Sequence, residues 1–234
     1  MSTKYKQIVS ELEADLLSGK YNEVKKLPRE EDLIEKYQVS RTTIRKAIAM
    51  LVNKGYVYQV QGSGIFIREA SLQDYVSLEN LKGLTRDFPD KKIESKLINL
   101  MVINADEDLA KQMKCDVGTD IYFLERLRYV NEEPFAVEYT YLNKNVIPYM
   151  SEEIAHRSIY SFIINDLKLS VGFADKIIYA DKLDSESAQL LQLSENDPTL
   201  VIENTVFLTN GTVFEVSKVI HNYKNTKLLK LANF

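Results

Sequence analysis

The chain has 234 residues, of which 45% are hydrophobic and 27% are charged, and its formal net charge is −4. This length corresponds to one large or two small domains, and the composition is that of a globular protein, which excludes disordered and fibrous classes. The single cysteine, Cys115, excludes an intramolecular disulfide and a multi-thiolate metal site. No apolar run could span a bilayer and the charged N-terminus lacks an export signal, so we expect a cytoplasmic protein with no membrane partner.

The charge is divided unevenly along the chain. Residues 1–70 carry 12 Lys and Arg against 9 Asp and Glu, a net charge of +3, whereas the remainder has a net charge of −7. A polyanion such as nucleic acid is therefore expected to bind the first part of the chain.

The first seventy residues predict three helices followed by a hairpin. The predicted helices cover residues 5–17, 28–37 and 41–54. Pro28 suits the first turn of the second helix, and Ser40 is a good N-cap for the third, which stops at Gly55. Two β-prone runs, 56–61 and 65–67, then bracket a short Gly-Ser-Gly turn. This order of elements is typical of a winged helix-turn-helix, a DNA-binding fold.

Three sequence blocks in this region resemble the GntR family of bacterial transcription regulators. They are Leu27 to Leu33 (LPREEDL), Val39 to Ile48 (VSRTTIRKAI) and Gln61 to Ile67 (QGSGIFI). The order and spacing of the blocks are more specific than any one block. The resemblance implies that the third helix works at the major groove and phosphates, and that the Gly-Ser-Gly turn works at the minor groove.

The chemistry of the third helix agrees with this role, because an arginine such as Arg45 can bind guanine through two hydrogen bonds. The alternative is an exposed charged helix face with a simple tight turn. The predicted DNA-binding residues are Arg29, Arg41, Thr42, Thr43, Arg45, Lys46, Gln61, Gly62, Ser63 and Gly64.

One residue departs from the family pattern. Relatives usually have Arg or Asn, often in contact with DNA, where this chain has Glu31. A carboxylate repels phosphate, so that contact is not carried over to this chain. We expect Arg29, two positions earlier, to compensate.

The rest of the chain predicts an α+β domain with a mainly antiparallel sheet. We expect domain boundaries of 1–70 for the DNA-binding domain, 71–84 for a linker and 85–234 for the second domain. The predicted strands are 93–103, 121–130, 135–142, 171–180, 199–208 and 212–223, and the predicted helices are 106–113, 158–167 and 185–193. Asn210-Gly211 is a strong hairpin signal between the last two strands.

This second part resembles the HutC subfamily of GntR regulators, whose effector domain, UTRA, has a chorismate-lyase-like fold. The motifs that carry the resemblance are Arg126-Leu127-Arg128, Glu133-Pro134, Glu138 to Leu142, Ser158 to Tyr160 and Phe214 to Ser217. Each motif by itself has low specificity for the subfamily, but the order of the motifs along the chain is specific. The resemblance implies a domain that binds a small effector and forms dimers.

Strand periodicity places Arg126 and Arg128 on one face, because residues two apart in a strand project to the same side. The resemblance implies that these arginines help to hold a phosphate or carboxylate, while Glu138 and Glu215 accept hydroxyl groups of a sugar. The alternative is a structural salt-bridge network with Glu125, Glu138 or Glu215. The predicted effector-binding residues are Thr85, Arg86, Arg126, Arg128, Glu138, Ser158, Tyr160, Glu215, Ser217 and Tyr223.

These observations predict a homodimeric regulator that binds pseudo-palindromic operator DNA, with the UTRA sheet as the dimer interface. We expect a repressor of a carbohydrate-utilisation operon that is released by a small effector such as a sugar phosphate and has no cofactor. A non-sugar acid as effector and an activator role remain alternatives. A chorismate-lyase-like enzyme is a weaker alternative because no catalytic constellation is visible, and His156 and His221 do not suggest a metal site.

Overall fold

The computed structural model describes residues 4–21, 23–68, 75–78, 83–88 and 90–231, apart from the side chains of Leu17 and Arg86. The chain forms two compact units, one of residues 1–79 with 228–234 and the other of residues 80–227. The sequence-based division differs from this grouping, because it assigned the last seven residues to the second domain. Most of the predicted linker, 71–84, lies outside the described residues.

The first unit contains three helices and two small pairs of strands. The helices are α1 (Lys4–Leu17), α2 (Glu30–Tyr37) and α3 (Arg41–Asn53), and the strands are β1 (Val57–Val60), β2 (Gly64–Ile67), β3 (Val76–Ser77) and, from the other end of the chain, β10 (Leu228–Leu229). β1 and β2 form the antiparallel hairpin of the wing, and β3 pairs with β10 in parallel.

The starts of α2 and α3 follow from local sequence. As predicted, Ser40 caps α3, and its side chain accepts a hydrogen bond from the backbone amide of Thr43. α2 begins two residues later than predicted, because Arg29 is its N-cap and Pro28 lies before the cap. The Arg29 amide donates to the Asp32 carboxylate at 3.0 Å, which satisfies a donor at this end of the helix.

One apolar core joins the helices of the first unit. Leu12, Leu33 and Leu51, from three different helices, are fully buried in it. Leu231, from the C-terminal end of the chain, is buried in the same core at 9% exposure. The last described residues therefore help to stabilise the first unit by removing apolar surface from water.

The second unit is built on a six-stranded antiparallel sheet in the order β4-β5-β6-β9-β8-β7. The strands are β4 (Ile93–Asn104), β5 (Asp120–Val130), β6 (Glu133–Asn143), β7 (Val171–Lys182), β8 (Pro198–Leu208) and β9 (Val213–Asn222). The helices are α4 (Leu84–Asp87), α5 (Glu107–Met113), α6 (Glu152–His156), α7 (Ile159–Ser161) and α8 (Ser185–Leu191), and a π-helical turn (Phe162–Asp166) follows α7.

Both faces of the sheet carry helices. Leu124 of β5 and Phe214 of β9 pack with Ala155 and Ile159 of α6 and α7 on one face. On the other face, α5 covers one end of the sheet and α8 covers the other. The predicted fold class is confirmed. α6 was missed by the sequence prediction, and the predicted helix 158–167 is split into α7 and the π-helical turn.

A β-bulge marks the start of β6. Arg128 pairs with Ala136 and Tyr129 pairs with Pro134, so Phe135 is the extra residue between two ladder positions. Pro134 has no backbone N–H to donate to the ladder, and a bulge is one of the few places in a sheet that accepts proline. Phe135 is buried there and contacts Phe88 and His221 edge to face.

Candidate functional site

The exposed face of α3 carries most of the residues predicted to bind DNA. Arg41, Thr42, Arg45 and Lys46 are exposed, whereas the apolar residues of α3 face the core. Thr43 is half-buried, and its hydroxyl lies 2.9 Å from the Ser40 hydroxyl at the helix N-terminus. The first turn of α3 contains no acidic residue, so its N-terminus offers backbone N–H groups and a positive dipole end to an anion.

The cations of α3 already have partners within the unit. Arg41 Nη2 lies 3.2 Å from Glu31 Oε1, and Arg45 Nε lies 3.0 Å from Glu30 Oε2. The Lys46 ammonium stands 4.5 Å from the centroid of the Tyr5 ring. DNA that docks on this face must therefore compete with carboxylates of α2 for both arginines.

The tip of the wing is exposed and depends on glycine. Gln61, Gly62, Ser63 and Gly64 are all exposed, and the Ser63 amide donates to the Val60 carbonyl at 3.0 Å. Gly62 has φ +75° and Gly64 has φ +120°, yet a Cβ at either position would meet no atom of the described residues within 4 Å. The glycines are therefore required by the backbone conformation and not by crowding.

A second candidate site lies on the sheet face that α6 and α7 cover. Arg126 Nη2 donates to Glu138 Oε2 at 2.6 Å, and Arg128 Nη1 donates to Glu138 Oε1 at 2.8 Å and to Oε2 at 3.0 Å. Arg126 Nη1 also donates to the Ala155 carbonyl at 3.1 Å. Both arginines are buried, so one carboxylate is shared by two guanidinium groups away from water.

A chain of polar side chains continues along β9 and β8. Asn204 Nδ2 donates to Ser217 Oγ at 3.1 Å, and Ser217 Oγ donates to Glu215 Oε1 at 3.1 Å. Burial raises the pKa of Tyr160 well above its usual value. The carboxylate of Glu215, which lies close to the Tyr160 hydroxyl, raises this pKa further.

The two carboxyl groups of this site have opposite pKa shifts. Burial by itself raises the pKa of Glu138, but the guanidinium groups of Arg128 and Arg126 outweigh it and lower the pKa to about 2. Burial raises the pKa of Glu215 to about 7, against the opposing effect of the Tyr160 and Ser217 hydroxyls. Glu138 is thus ionised at neutral pH, while Glu215 is partly protonated.

The site has surplus positive charge and unused hydrogen-bonding atoms. Two guanidinium groups face one fully ionised carboxylate, and buried Arg126 Nε, Arg128 Nε and Glu215 Oε2 make no hydrogen bond within the described part of the chain. Buried polar atoms normally have a partner, so these three atoms are candidates for hydrogen bonds to a ligand. The ion pairs of Arg126 and Arg128 with Glu138 agree with the alternative prediction of a structural salt-bridge network. That network, however, has two positive charges and one negative charge, so a net positive charge remains.

Glu125 does not take part in this network. It is adjacent to Arg126 in β5 and therefore projects to the opposite face of the sheet. There it is buried, and its pKa is raised by burial and by the nearby Glu186 of α8. The sequence-based alternative that paired the arginines with Glu125 is wrong for this reason.

The remaining predicted effector residues are less closely connected to the arginines. The Ser158 hydroxyl caps α7 by accepting from the Ser161 amide at 3.3 Å. Tyr223 lies just beyond the end of β9, is 40% exposed and contacts Lys224. Thr85 is exposed on α4, and the side chain of Arg86 lies outside the described residues.

Three polar residues on this sheet face were not among the predicted effector-binding residues. Thr140 and His221 are buried, and Asn204 is half-buried. His221 is 2% exposed, its Nδ1 lies 3.0 Å from the Leu200 carbonyl, and burial lowers its pKa. A polar residue at an inward position of an apolar strand, such as Asn204 opposite Ser217, is the signal that could have found them.

Two further findings limit the kinds of site. No group of three or more His, Cys, Asp or Glu in the described ranges could hold a metal ion. Likewise, none of the helices described is long and apolar enough to cross a membrane.

A winged helix-turn-helix whose third helix exposes arginine and lysine side chains defines the class of DNA-binding regulators. Comparison with known proteins agrees with this class. Residues 4–67 match the bacterial regulatory proteins of the gntR family, and residues 90–227, more than half of the chain, match the UTRA domain. The chain therefore belongs to the GntR family of transcription regulators and carries a UTRA domain.

Similar proteins include other regulators of this kind. The chain is 35% identical to the uncharacterized HTH-type transcriptional regulator YydK of Bacillus subtilis over 98% of both chains. A crystal structure of that protein matches with a TM-score of 0.84 at 33% identity, over 97% of this chain and 100% of that one. The transcriptional repressor NagR of B. subtilis is 28% identical over 93% of this chain and 89% of its own.

A third relative is the mannosyl-D-glycerate transport/metabolism system repressor MngR of Escherichia coli. It is 26% identical over 97% of this chain and 95% of its own. These relatives are transcription regulators and not enzymes, and the chain is a DNA-binding transcription regulator.

Proposed function

We propose that this regulator represses a carbohydrate-utilisation operon and leaves its operator when an anionic sugar derivative, such as a sugar phosphate, binds the UTRA domain. The observation that carries the proposal is the pair of buried arginines that share Glu138. Within the described residues, the Nε atom of each guanidinium has no hydrogen-bond partner, and Glu138 is the one carboxylate that forms ion pairs with the two arginines. A phosphate is the type of ligand that arginine binds with charge-assisted hydrogen bonds.

The polar residues beyond the arginines support the sugar part of the proposal. The hydroxyl of Ser217, the amide of Asn204 and the partly protonated carboxyl of Glu215 can each donate or accept a hydrogen bond. Sugar hydroxyls need such two-way partners. The repressor names of NagR and MngR, and the sugar derivative in the second name, agree with this assignment.

Release from DNA follows from linked equilibria. The effector binds more tightly to an arrangement of the protein that does not fit the operator, and it thereby shifts the population away from DNA. We propose a HutC-type homodimer in the cytoplasm that reads a pseudo-palindromic operator, because a two-fold protein presents its two α3 helices to two half-sites. Operator DNA must weaken effector binding by the same factor.

A thermal-shift screen tests the proposal. The full chain is mixed with sugar 6-phosphates, their unphosphorylated parent sugars, inorganic phosphate and simple carboxylic acids. A ligand at 100 times its dissociation constant adds about 2.7 kcal/mol to stability, which is a clear rise in melting temperature. We expect one sugar phosphate to stabilise the protein more than its parent sugar or phosphate alone, and to release it from DNA.

A variant pair links the ligand to the arginines. Arg128→Ala should abolish the stabilisation, whereas Arg157→Ala should keep it, because the Arg157 side chain is 73% exposed and, in the described part of the chain, forms an ion pair with Glu153 alone. If a carboxylic acid stabilises the protein and no sugar phosphate does, the proposed class of effector is wrong, but the proposed regulator function stands. Full sugar-phosphate binding by Arg128→Ala would contradict the proposed site.

A further inference from the structure

Helix α2 places a carboxylate directly against the first residue of the DNA-reading helix. Arg41 opens α3, and its Nη2 lies 3.2 Å from Glu31 Oε1. Within the described residues this is the one hydrogen bond of the Arg41 guanidinium. Both side chains remain accessible, with 55% of Arg41 and 65% of Glu31 exposed.

This ion pair contributes little to folding. An exposed pair of this kind is worth about 0 to 1 kcal/mol, because water screens the charges and both long side chains lose freedom. The neighbouring pair of Arg45 with Glu30 differs, since the Glu30 side chain is only 21% exposed. Glu31 can thus be changed with less effect on the unit than Glu30.

The same pair changes the charge and the hydrogen-bond donors that α3 presents to DNA. Sequence-independent binding to DNA rests on arginine and lysine contacts with phosphate. Glu31 occupies one such arginine and adds a negative charge that repels phosphates. The Glu31 carboxylate accepts a hydrogen bond from one nitrogen of Arg41, Nη2. The other N–H donors of the guanidinium therefore remain available to a base edge.

We propose that Glu31 is a specificity-determining residue of operator recognition that acts by positioning Arg41. On non-operator DNA, the ion pair prevents one arginine–phosphate contact and so weakens binding. On the operator, the held guanidinium reaches a base edge that its remaining donors fit. Glu31 therefore lowers the affinity for non-operator DNA more than the affinity for the operator.

The test compares Glu31→Gln with Glu35→Gln in the full-length protein. Glu35 is exposed on α2, one helical turn from Glu31, and in the described residues its carboxylate pairs with no arginine of α3. Both variants remove one negative charge from the same face of the helix. The probes are a duplex that the wild-type protein selects from a random pool, and a scrambled duplex of equal length and composition.

We expect Glu31→Gln to bind the scrambled duplex about two- to fivefold more tightly, the factor that an ion pair of up to about 1 kcal/mol allows. The logarithmic salt dependence should steepen by about 0.9, the value for one added phosphate contact. Affinity for the selected duplex should rise less or fall, so the ratio of the two affinities decreases. Glu35→Gln should leave that ratio unchanged.

A double variant excludes a general charge effect. In an Arg41→Ala background, Glu31→Gln should no longer change the ratio between the two duplexes. The proposal is overturned if both duplexes gain equally in Glu31→Gln, if Glu35→Gln lowers the ratio as much, or if the effect persists without Arg41. Melting curves that match the wild type confirm that each variant is folded.

Discussion

Removal of the Glu138 carboxylate should destabilise the UTRA unit far more than removal of an exposed carboxylate. Glu138→Gln keeps the shape of the side chain but leaves Arg126 and Arg128 buried without an ionised partner. The pKa of Glu138 falls from 4.5 to about 2 in the folded protein. At about 1.4 kcal/mol for each tenfold change in proton affinity, its ionised form contributes about 3 kcal/mol to folding.

The sign of this contribution fixes its pH range. Because the folded-state pKa is the lower one, the stabilisation is present above about pH 4.5 and is lost as the pH falls towards 2. A loss of about 3 kcal/mol agrees with the cost of breaking a buried ion pair, about 3 to 5 kcal/mol. For a chain of this size it lowers the melting temperature by about 6 to 12 °C.

Differential scanning calorimetry at neutral pH measures this loss. Glu153→Gln is the matched control, since it removes another glutamate paired with arginine, but both side chains of that pair are more than 70% exposed. Its melting temperature should stay close to that of the wild type. Inorganic phosphate should stabilise Glu138→Gln more than the wild type, because the unbalanced positive charge is larger. Equal melting temperatures for Glu138→Gln and Glu153→Gln would refute the reasoning.

Three further predictions concern other parts of the molecule. Burial raises the pKa of Glu215 from 4.5 to about 7, so its contribution to stability is present below about pH 4.5 and is lost as the pH rises through 7; melts of Glu215→Gln should show a growing advantage over the wild type between about pH 5 and 8, and parallel curves would contradict this. Leu231→Ala removes a buried side chain and should cost the DNA-binding unit about 2 to 3 kcal/mol, seen as faster hydrogen exchange in α1 to α3; unchanged exchange would mean that the C-terminal segment does not support this core. Gly64→Ala makes no steric clash with the described residues, but residue 64 must keep φ +120°, which costs an alanine about 1 to 3 kcal/mol. We therefore expect Gly64→Ala to weaken operator binding, whereas Ser63→Ala should leave the fold of the wing intact. A Gly64→Ala variant with wild-type operator affinity and wild-type hydrogen exchange in the wing would show that this conformation is not required.

Local sequence determined most elements of both units. The cap at Ser40 and the helical spacing of apolar residues fixed α3 and its exposed arginines, because an N-cap and a periodic stripe act within a few residues. Strand alternation likewise fixed that Arg126 and Arg128 share a face. The order of helices, hairpin and antiparallel strands could be predicted from these local patterns, and that order indicated the class of protein.

Only the tertiary structure decided which distant groups meet. The choice of Glu138 as the shared partner, and the exclusion of Glu125, depend on the pairing of β5 with β6 and on the face that each side chain occupies. The contact of Glu31 with Arg41 and the burial of Leu231 beneath the three helices depend on packing between remote segments. Periodicity specifies the face of an element, but burial of its apolar side against other elements selects the partners, and that selection is made by the whole chain.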